Sequence, residues 1–147
     1  MLTISTPRAL VCVLIGLALW LAATLPGCQQ SPSDADIVYL DDERFATIIT
    51  EPPVGTLIID ARSPSDFEAG TVPGAINVQL REVPVEEVRE RFGGYNRIIV
   101  FGPHPGSPRA AALSKRLLAG GVSVQTYLPG YERWLELREE KPAAEAP

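Results

Sequence analysis

Two apolar runs constrain this chain more than anything else in it. Leu57-Ile58-Ile59 and Ile98-Ile99-Val100-Phe101 are continuous rather than alternating, so strands built from them are covered on both faces. That is the condition of a central strand in a parallel sheet, whose neighbours are joined by crossovers that are usually helical. The rest of the chain supplies such crossovers. Ile37-Val38-Tyr39-Leu40 reads as a short strand. Asp41 then caps a helix with Phe45, Ile48 and Ile49 at helical spacing, and Pro52, Pro53 and Gly55 stop it. Ser63-Pro64-Ser65-Asp66 combines a cap, a first-turn proline and an acidic third position, so a short helix starts there. Ala75-Ile76-Asn77-Val78 is a third strand, and Val85, Val88 and Phe92 mark one face of a helix ending at Gly93-Gly94. Ser107 and Pro108 open a helix over 109–119 that Gly120-Gly121 stop. Residues 122–127 alternate as a fifth strand, and Pro129-Gly130 turn the chain into a last helix through Trp134 and Leu137. The alternation predicts an α/β domain over residues 36–138. It has one five-stranded, mostly parallel sheet with helices on both faces, and about 105 residues suffice for one such core.

The amino-terminal segment follows a different pattern. Arg8 is the only charge before Asp34, and an apolar run fills residues 9–23. This is the layout of an export signal, and the run is shorter than the roughly 20 apolar residues of a spanning helix. It ends Leu25-Pro26-Gly27-Cys28, which resembles a bacterial lipobox. A leucine stands three residues before the cysteine and a small residue directly before it, although Pro26 stands where a small or hydroxylated residue is usual. The resemblance implies that residues 1–27 are a lipoprotein signal peptide removed at Cys28. It also implies that Cys28 then carries a diacylglyceryl group on sulfur and an acyl chain such as palmitate on nitrogen. In the other reading the leader stays uncleaved as an anchor and Cys28 is juxtamembrane. Either places the domain outside the cytoplasm, in a bacterial cell envelope, facing the periplasm or the exterior. Gln29, rather than the Asp that resembles an inner-membrane retention signal, favours the outer membrane. In the polar linker 28–35, the seven residues 29–35 span at most about 25 Å, so the domain sits close to the bilayer. Residues 139–147 read as a disordered tail.

Charge and cysteine placement exclude several functions. The net charge is −5, and losing residues 1–27 removes Arg8 and makes it −6. An acidic domain is a poor partner for nucleic acid. The two cysteines are Cys12 and Cys28, and the chain has one histidine, His104. Neither a disulfide framework nor a thiolate or histidine metal site is available to the domain, and no cofactor is expected.

Several loops together resemble the rhodanese-like domain, the fold of sulfurtransferases and of a class of phosphatases. Leu57-Ile58-Ile59-Asp60-Ala61-Arg62 matches its strand ending in Asp-x-Arg. Residues 66–77, Asp-Phe-Glu-Ala-Gly-Thr-Val-Pro-Gly-Ala-Ile-Asn, resemble the family's Glu-Phe-x-x-Gly-His-Ile-Pro-Gly-Ala-x-Asn, with Asp66 and Thr71 as departures. Leu128-Pro129-Gly130-Tyr131-Glu132-Arg133-Trp134 is similar to the closing Leu-x-Gly-Gly-x-x-x-Trp, with Pro129 for the first glycine and one residue fewer before Trp134. The likeness spans about residues 36–138.

The resemblance implies a chemistry and also locates what is missing from it. Active members carry a cysteine directly after the strand matched by 98–101, in a cradle of backbone N–H groups that lowers its pKa and holds the persulfide or phosphate. Here that residue is Gly102, which offers no nucleophile. Pro103, Pro105 and Pro108 remove three further N–H donors from the loop. The loop Gly102, His104, Gly106, Ser107 and Arg109 is therefore a degenerate active-site loop with no catalytic residue assigned. His104 lacks a second histidine or a cysteine and reads as an exposed loop residue, Ser107 lacks a triad and fits a helix cap, and Arg109 gives the pocket positive charge. Asp60 and Arg62 support the pocket, and their simpler role is a structural ion pair. The expected function is a membrane-anchored binding or scaffolding module. Its partners would be the membrane through Cys28, and an envelope protein or small anion at the 102–109 loop. The alternative is an active sulfurtransferase or hydrolase that uses His104, Ser107 or a partner's thiol as nucleophile. A third reading lets unlipidated Cys28 carry the sulfur.

Overall fold

A computed structural model describes residues 31–144 of the chain. The expected signal peptide, Cys28 and residues 145–147 lie outside them. Five strands, β1 (Val38–Leu40), β2 (Thr56–Asp60), β3 (Ala75–Asn77), β4 (Arg97–Phe101) and β5 (Gln125–Tyr127), form one sheet in the order β1-β5-β4-β2-β3. Every pairing is parallel. The two apolar runs lie side by side at its centre, Ile58 opposite Ile99 and Asp60 opposite Phe101.

Five helices cover the sheet: α1 (Asp42–Thr50), α2 (Pro64–Glu68), α3 (Val88–Phe92), α4 (Pro108–Ala119) and α5 (Gly130–Ala144). The strand period of two splits the core between the faces. Leu57, Ile59, Ile98 and Val100 pack with Val88 and Phe92 of α3 and Leu113 and Leu117 of α4. Ile58, Ile99, Phe101 and Tyr127 pack with Phe45 and Ile48 of α1 and Trp134 of α5. Phe45 stacks on Tyr127 with ring centroids 3.8 Å apart.

Local signals set the helix starts. The Asp41 carboxylate accepts from Arg44 N–H at 2.8 Å, and Ser63 Oγ accepts from Asp66 N–H at 3.2 Å with Pro64 in the first turn. Asp42 then ties three elements together. It accepts from the Tyr127 hydroxyl and from Arg133 Nε, both at 2.8 Å. Partial burial alone would raise the Asp42 carboxyl, but the bonds from Arg133 and Tyr127 outweigh it and hold it below the usual range.

Four expectations need correction. The helix expected through Val85, Val88 and Phe92 is α-helical only over the short α3; its first turn, Val85–Glu87, is a 3-10 turn running directly into α3, and a further 3-10 turn at Leu80–Glu82 precedes Pro84. Pro84 stands just ahead of this first turn, where a proline is tolerated, and Val85 is 39% exposed while Val88 and Phe92 are buried, so the α-helical part is the one held against the core. The fifth strand is only Gln125–Tyr127, because β5 pairs with β1 and β4 only over those residues. Ser107 stands at the N-cap position of α4 but makes no side-chain cap bond. Residues 139–144, expected in a disordered tail, continue α5, where Arg133 reaches Glu136 at 2.9 Å and Glu140 at 3.2 Å along the helix. Among the described residues, no helix is long and apolar enough to cross a membrane.

Candidate functional site

The carboxyl ends of β2 and β4 lie together at one edge of the sheet, where open parallel sheets place their sites. Ala61 N–H donates to Phe101 C=O at 2.9 Å across this edge. From there the chain runs into two loops, one led by Asp60 and the other by Gly102.

Asp60 is 0% exposed and Arg62 5%. Arg62 Nη2 donates to Asp60 Oδ2 at 2.8 Å, its Nε reaches both carboxylate oxygens at 3.1 Å, and its backbone N–H donates to Oδ1 at 2.9 Å. The remaining valence is taken locally as well. Thr71 Oγ1 donates to Asp60 Oδ2 at 2.7 Å, and Arg62 Nη2 also donates to Gly70 C=O. Asn77 Nδ2 donates to the carbonyls of Asp60 and Arg62. The guanidinium carbon lies 3.7 Å from the centroid of the Tyr131 ring. This is a closed network that joins β2, the 70–77 turn and α5. Gly70 has φ of +143°, and a Cβ there would stand 3.1 Å from the Tyr131 hydroxyl.

In the sequence Thr71 stands out only as a departure from the resembled pattern. Its hydroxyl in fact completes the coordination of the Asp60 carboxylate. The signal was there in its type, since a threonine inside a Gly-x-x-Pro-Gly turn is a short-range donor. Its partner 11 residues earlier was not readable.

Gly102 follows β4 directly and is buried. A Cβ built on it would meet Ala110 Cβ at 3.4 Å and Ser107 Cβ and Oγ at 3.5 Å, which is ordinary contact. A side chain at this position would therefore point at Ser107, which is 6% exposed. The loop is fastened from outside by α5. Tyr131 N–H donates to Gly102 C=O at 2.8 Å and Glu132 N–H to Pro103 C=O at 3.0 Å, so the first amides of α5 are used on the loop's carbonyls. Within the loop, Ser107 N–H donates to His104 C=O and Gly106 takes φ of +76°. His104 is exposed, with Nδ1 3.0 Å from Pro105 C=O.

Arg109 is exposed on the first turn of α4, on the wall of a cleft of about 990 Å³ that Arg62 also lines. Hydrogen bonding from Ser63 holds the Asp66 carboxyl below its usual range. Burial works against that, and the charges of Arg62 and Arg109 add to it. The structure thus brings Gly102 and Ser107 together, and Arg62 with Arg109 on one cleft wall, while the exposed His104 side chain has its Nδ1 at Pro105 C=O. Among the described residues, no three His, Cys, Asp or Glu side chains come together as metal ligands.

Residues 41–137 match the family described as the rhodanese-like domain. Solved structures share the fold at low identity. One from Bacillus halodurans has a TM-score of 0.62 at 19% identity, over 69% of this chain and 73% of that one. A possible tyrosine phosphatase from Rhodopseudomonas palustris has a TM-score of 0.62 at 16% identity, over 71% and 84%. The As-Sb reductase of Leishmania major has a TM-score of 0.59 at 17% identity, over 71% and 80%. None of the curated proteins matches the sequence.

Proposed function

The chain belongs to the rhodanese-like domain family, and on that premise we propose that it is a member without the family's nucleophile, held to a bacterial membrane through Cys28 and working as a binding or scaffolding module. One observation carries the reading. The residue directly after β4, where active members resembling this chain carry a thiol, is Gly102. The domain has no cysteine to take its place, since Cys12 and Cys28 both precede it. The surrounding loop supports it. Three of its residues are prolines without N–H, and Ser107 N–H is already used on His104 C=O. A stiff, proline-rich loop loses little entropy on binding a partner, which suits recognition better than turnover.

Two measurements test this together. Mass spectrometry of the protein from its membrane is expected to show Cys28 as an acylated amino terminus; an intact leader removes the anchoring claim. Assays of thiosulfate:cyanide sulfur transfer and of phosphatase activity are expected to match a His104→Ala control. Turnover well above that control overturns the inactive reading.

The Gly102→Cys variant gives a further expected outcome. Its Cβ fits at 3.4–3.5 Å from Ala110 and Ser107, so the fold is kept. Its thiol is expected to titrate near the ordinary value of about 8.5, because the loop lacks the converging donors that would favour a thiolate. Sulfur transfer stays within a few-fold of the parent. A thiol pKa below about 7 by ultraviolet thiolate absorbance would show that the cradle survives.

A further inference from the structure

The cleft beside α4 adjoins the 102–109 loop through Pro108 and Arg109 and extends away from it along α4 to Arg116, and its lining carries an excess of positive charge against the charge of the whole chain. Its walls hold Arg62, Arg81, Arg109 and Arg116, with Glu86 as the one carboxylate. Arg62 is committed to Asp60. Arg109 and Arg116 have no carboxylate within ion-pair distance among the described residues, and Arg116 Nη1 is steadied at 3.1 Å from Val83 C=O. The two stand seven residues apart on α4, two helical turns, so they share one face. Ala112 lies between them in sequence on the same face and also lines the cleft. Each guanidinium offers a planar pair of N–H donors that suits a phosphate's oxygens, and two on one face can engage the same phosphate.

The entry of the chain says which phosphate is near. Asp34, at the start of the described domain, pairs with Lys115 at 2.9 Å, one residue from Arg116. Cys28 precedes Asp34 by six residues, a reach of roughly 20 Å at most. On the reading that Cys28 carries the lipid, α4 is tethered at the headgroup layer, where a weak site works at high effective concentration. Leu80, 38% exposed, lines the cleft, and Val85, 39% exposed, stands in the chain between Pro84 and Glu86, which also line it. Apolar side chains next to arginines suit a membrane interface.

We propose that this cleft binds the phosphate of an anionic membrane phospholipid between Arg109 and Arg116, and so orients the domain on its own membrane. The proposal rests on the tethered reading above for the choice of a lipid source.

The test uses the full chain in neutral detergent micelles, doped in turn with short-chain phosphatidylglycerol, phosphatidylcholine of equal chain length, or inorganic phosphate. Phosphatidylglycerol in excess over its dissociation constant is expected to raise the unfolding midpoint by roughly 5 °C. Phosphatidylcholine should raise it by less than a degree, and the rise should be lost in Arg109→Gln/Arg116→Gln. An equal rise with phosphatidylcholine, or an undiminished rise in the double variant, overturns the proposal. A full rise with inorganic phosphate alone assigns the cleft to a free anion and also overturns it. Should the double variant not fold, salt decides: a phosphatidylglycerol effect unchanged between low and high ionic strength excludes an ionic contact. The two readings fail separately. An intact leader with a lipid effect removes the tether alone, and acylated Cys28 without one removes the cleft alone.

Discussion

Replacing Arg62 by Ala is expected to cost about 3–5 kcal/mol of folding stability, the range for removing one partner of a buried ion pair. The reason is what stays behind. Asp60 is fully buried, and it would keep only the Thr71 hydroxyl and the Arg62 backbone N–H as donors. The loss also reaches α5, because the guanidinium stacks on Tyr131, and the turn at Gly70, whose carbonyl it holds. Urea denaturation measures this as a lower midpoint with an unchanged slope. Asp60→Asn/Arg62→Met, which removes both charges, is expected to recover part of the loss, since the orphaned carboxylate is the costly species. A loss below about 1 kcal/mol for Arg62→Ala would mean that the pair behaves as a solvated surface pair. The structural assignment of Asp60 and Arg62 would then give way to one in which Arg62 is free for a ligand.

Local chemistry made much of this fold readable. Continuous apolar runs located β2 and β4, and their two-sided burial follows from their place at the centre of the sheet. Asp41 and Ser63 announced α1 and α2 because a cap bond needs only a residue and its neighbours three positions on. The helical spacing of Val85, Val88 and Phe92 locates a helical stretch but not its type: the first turn, Val85–Glu87, is 3-10 and only Val88–Phe92 is α-helical, because spacing alone does not show that Val85 stays exposed while Val88 and Phe92 are buried. Ser107 was read as a cap from its type, whereas its side chain is turned inward toward Gly102. At the site, Gly102 could be found by counting from β4, because it directly follows the last residue of that strand. Thr71, Arg81 and Arg116 could not, since each acquires its place through contacts with elements far along the chain.

Gly130 is where the closing helix and the loop meet, and its substitution should have the second large effect. Its φ is +79°, and a Cβ there would lie 2.9 Å from Gly102 O and His104 N and 3.0 Å from Pro103 C. All three are backbone atoms, so no side chain can rotate away, and the loop itself must move. Gly130→Ala is expected to cost on the order of 2–4 kcal/mol, from the left-handed backbone and from the overlap. The overlap also pulls at the bonds from Tyr131 and Glu132 to the carbonyls of Gly102 and Pro103. Gly130→Asn separates the two causes. Asn tolerates the left-handed region better than Ala but carries the same Cβ. If overlap dominates, Asn is as destabilising as Ala, and amide exchange should accelerate at His104 and Gly106 in both variants. If strain dominates, Asn recovers most of the loss and the loop amides keep their parent rates. An Ala variant as stable as the parent would mean that the loop yields freely around α5. The stiffness on which the proposed recognition role rests would then have to come from Pro103, Pro105 and Pro108 alone.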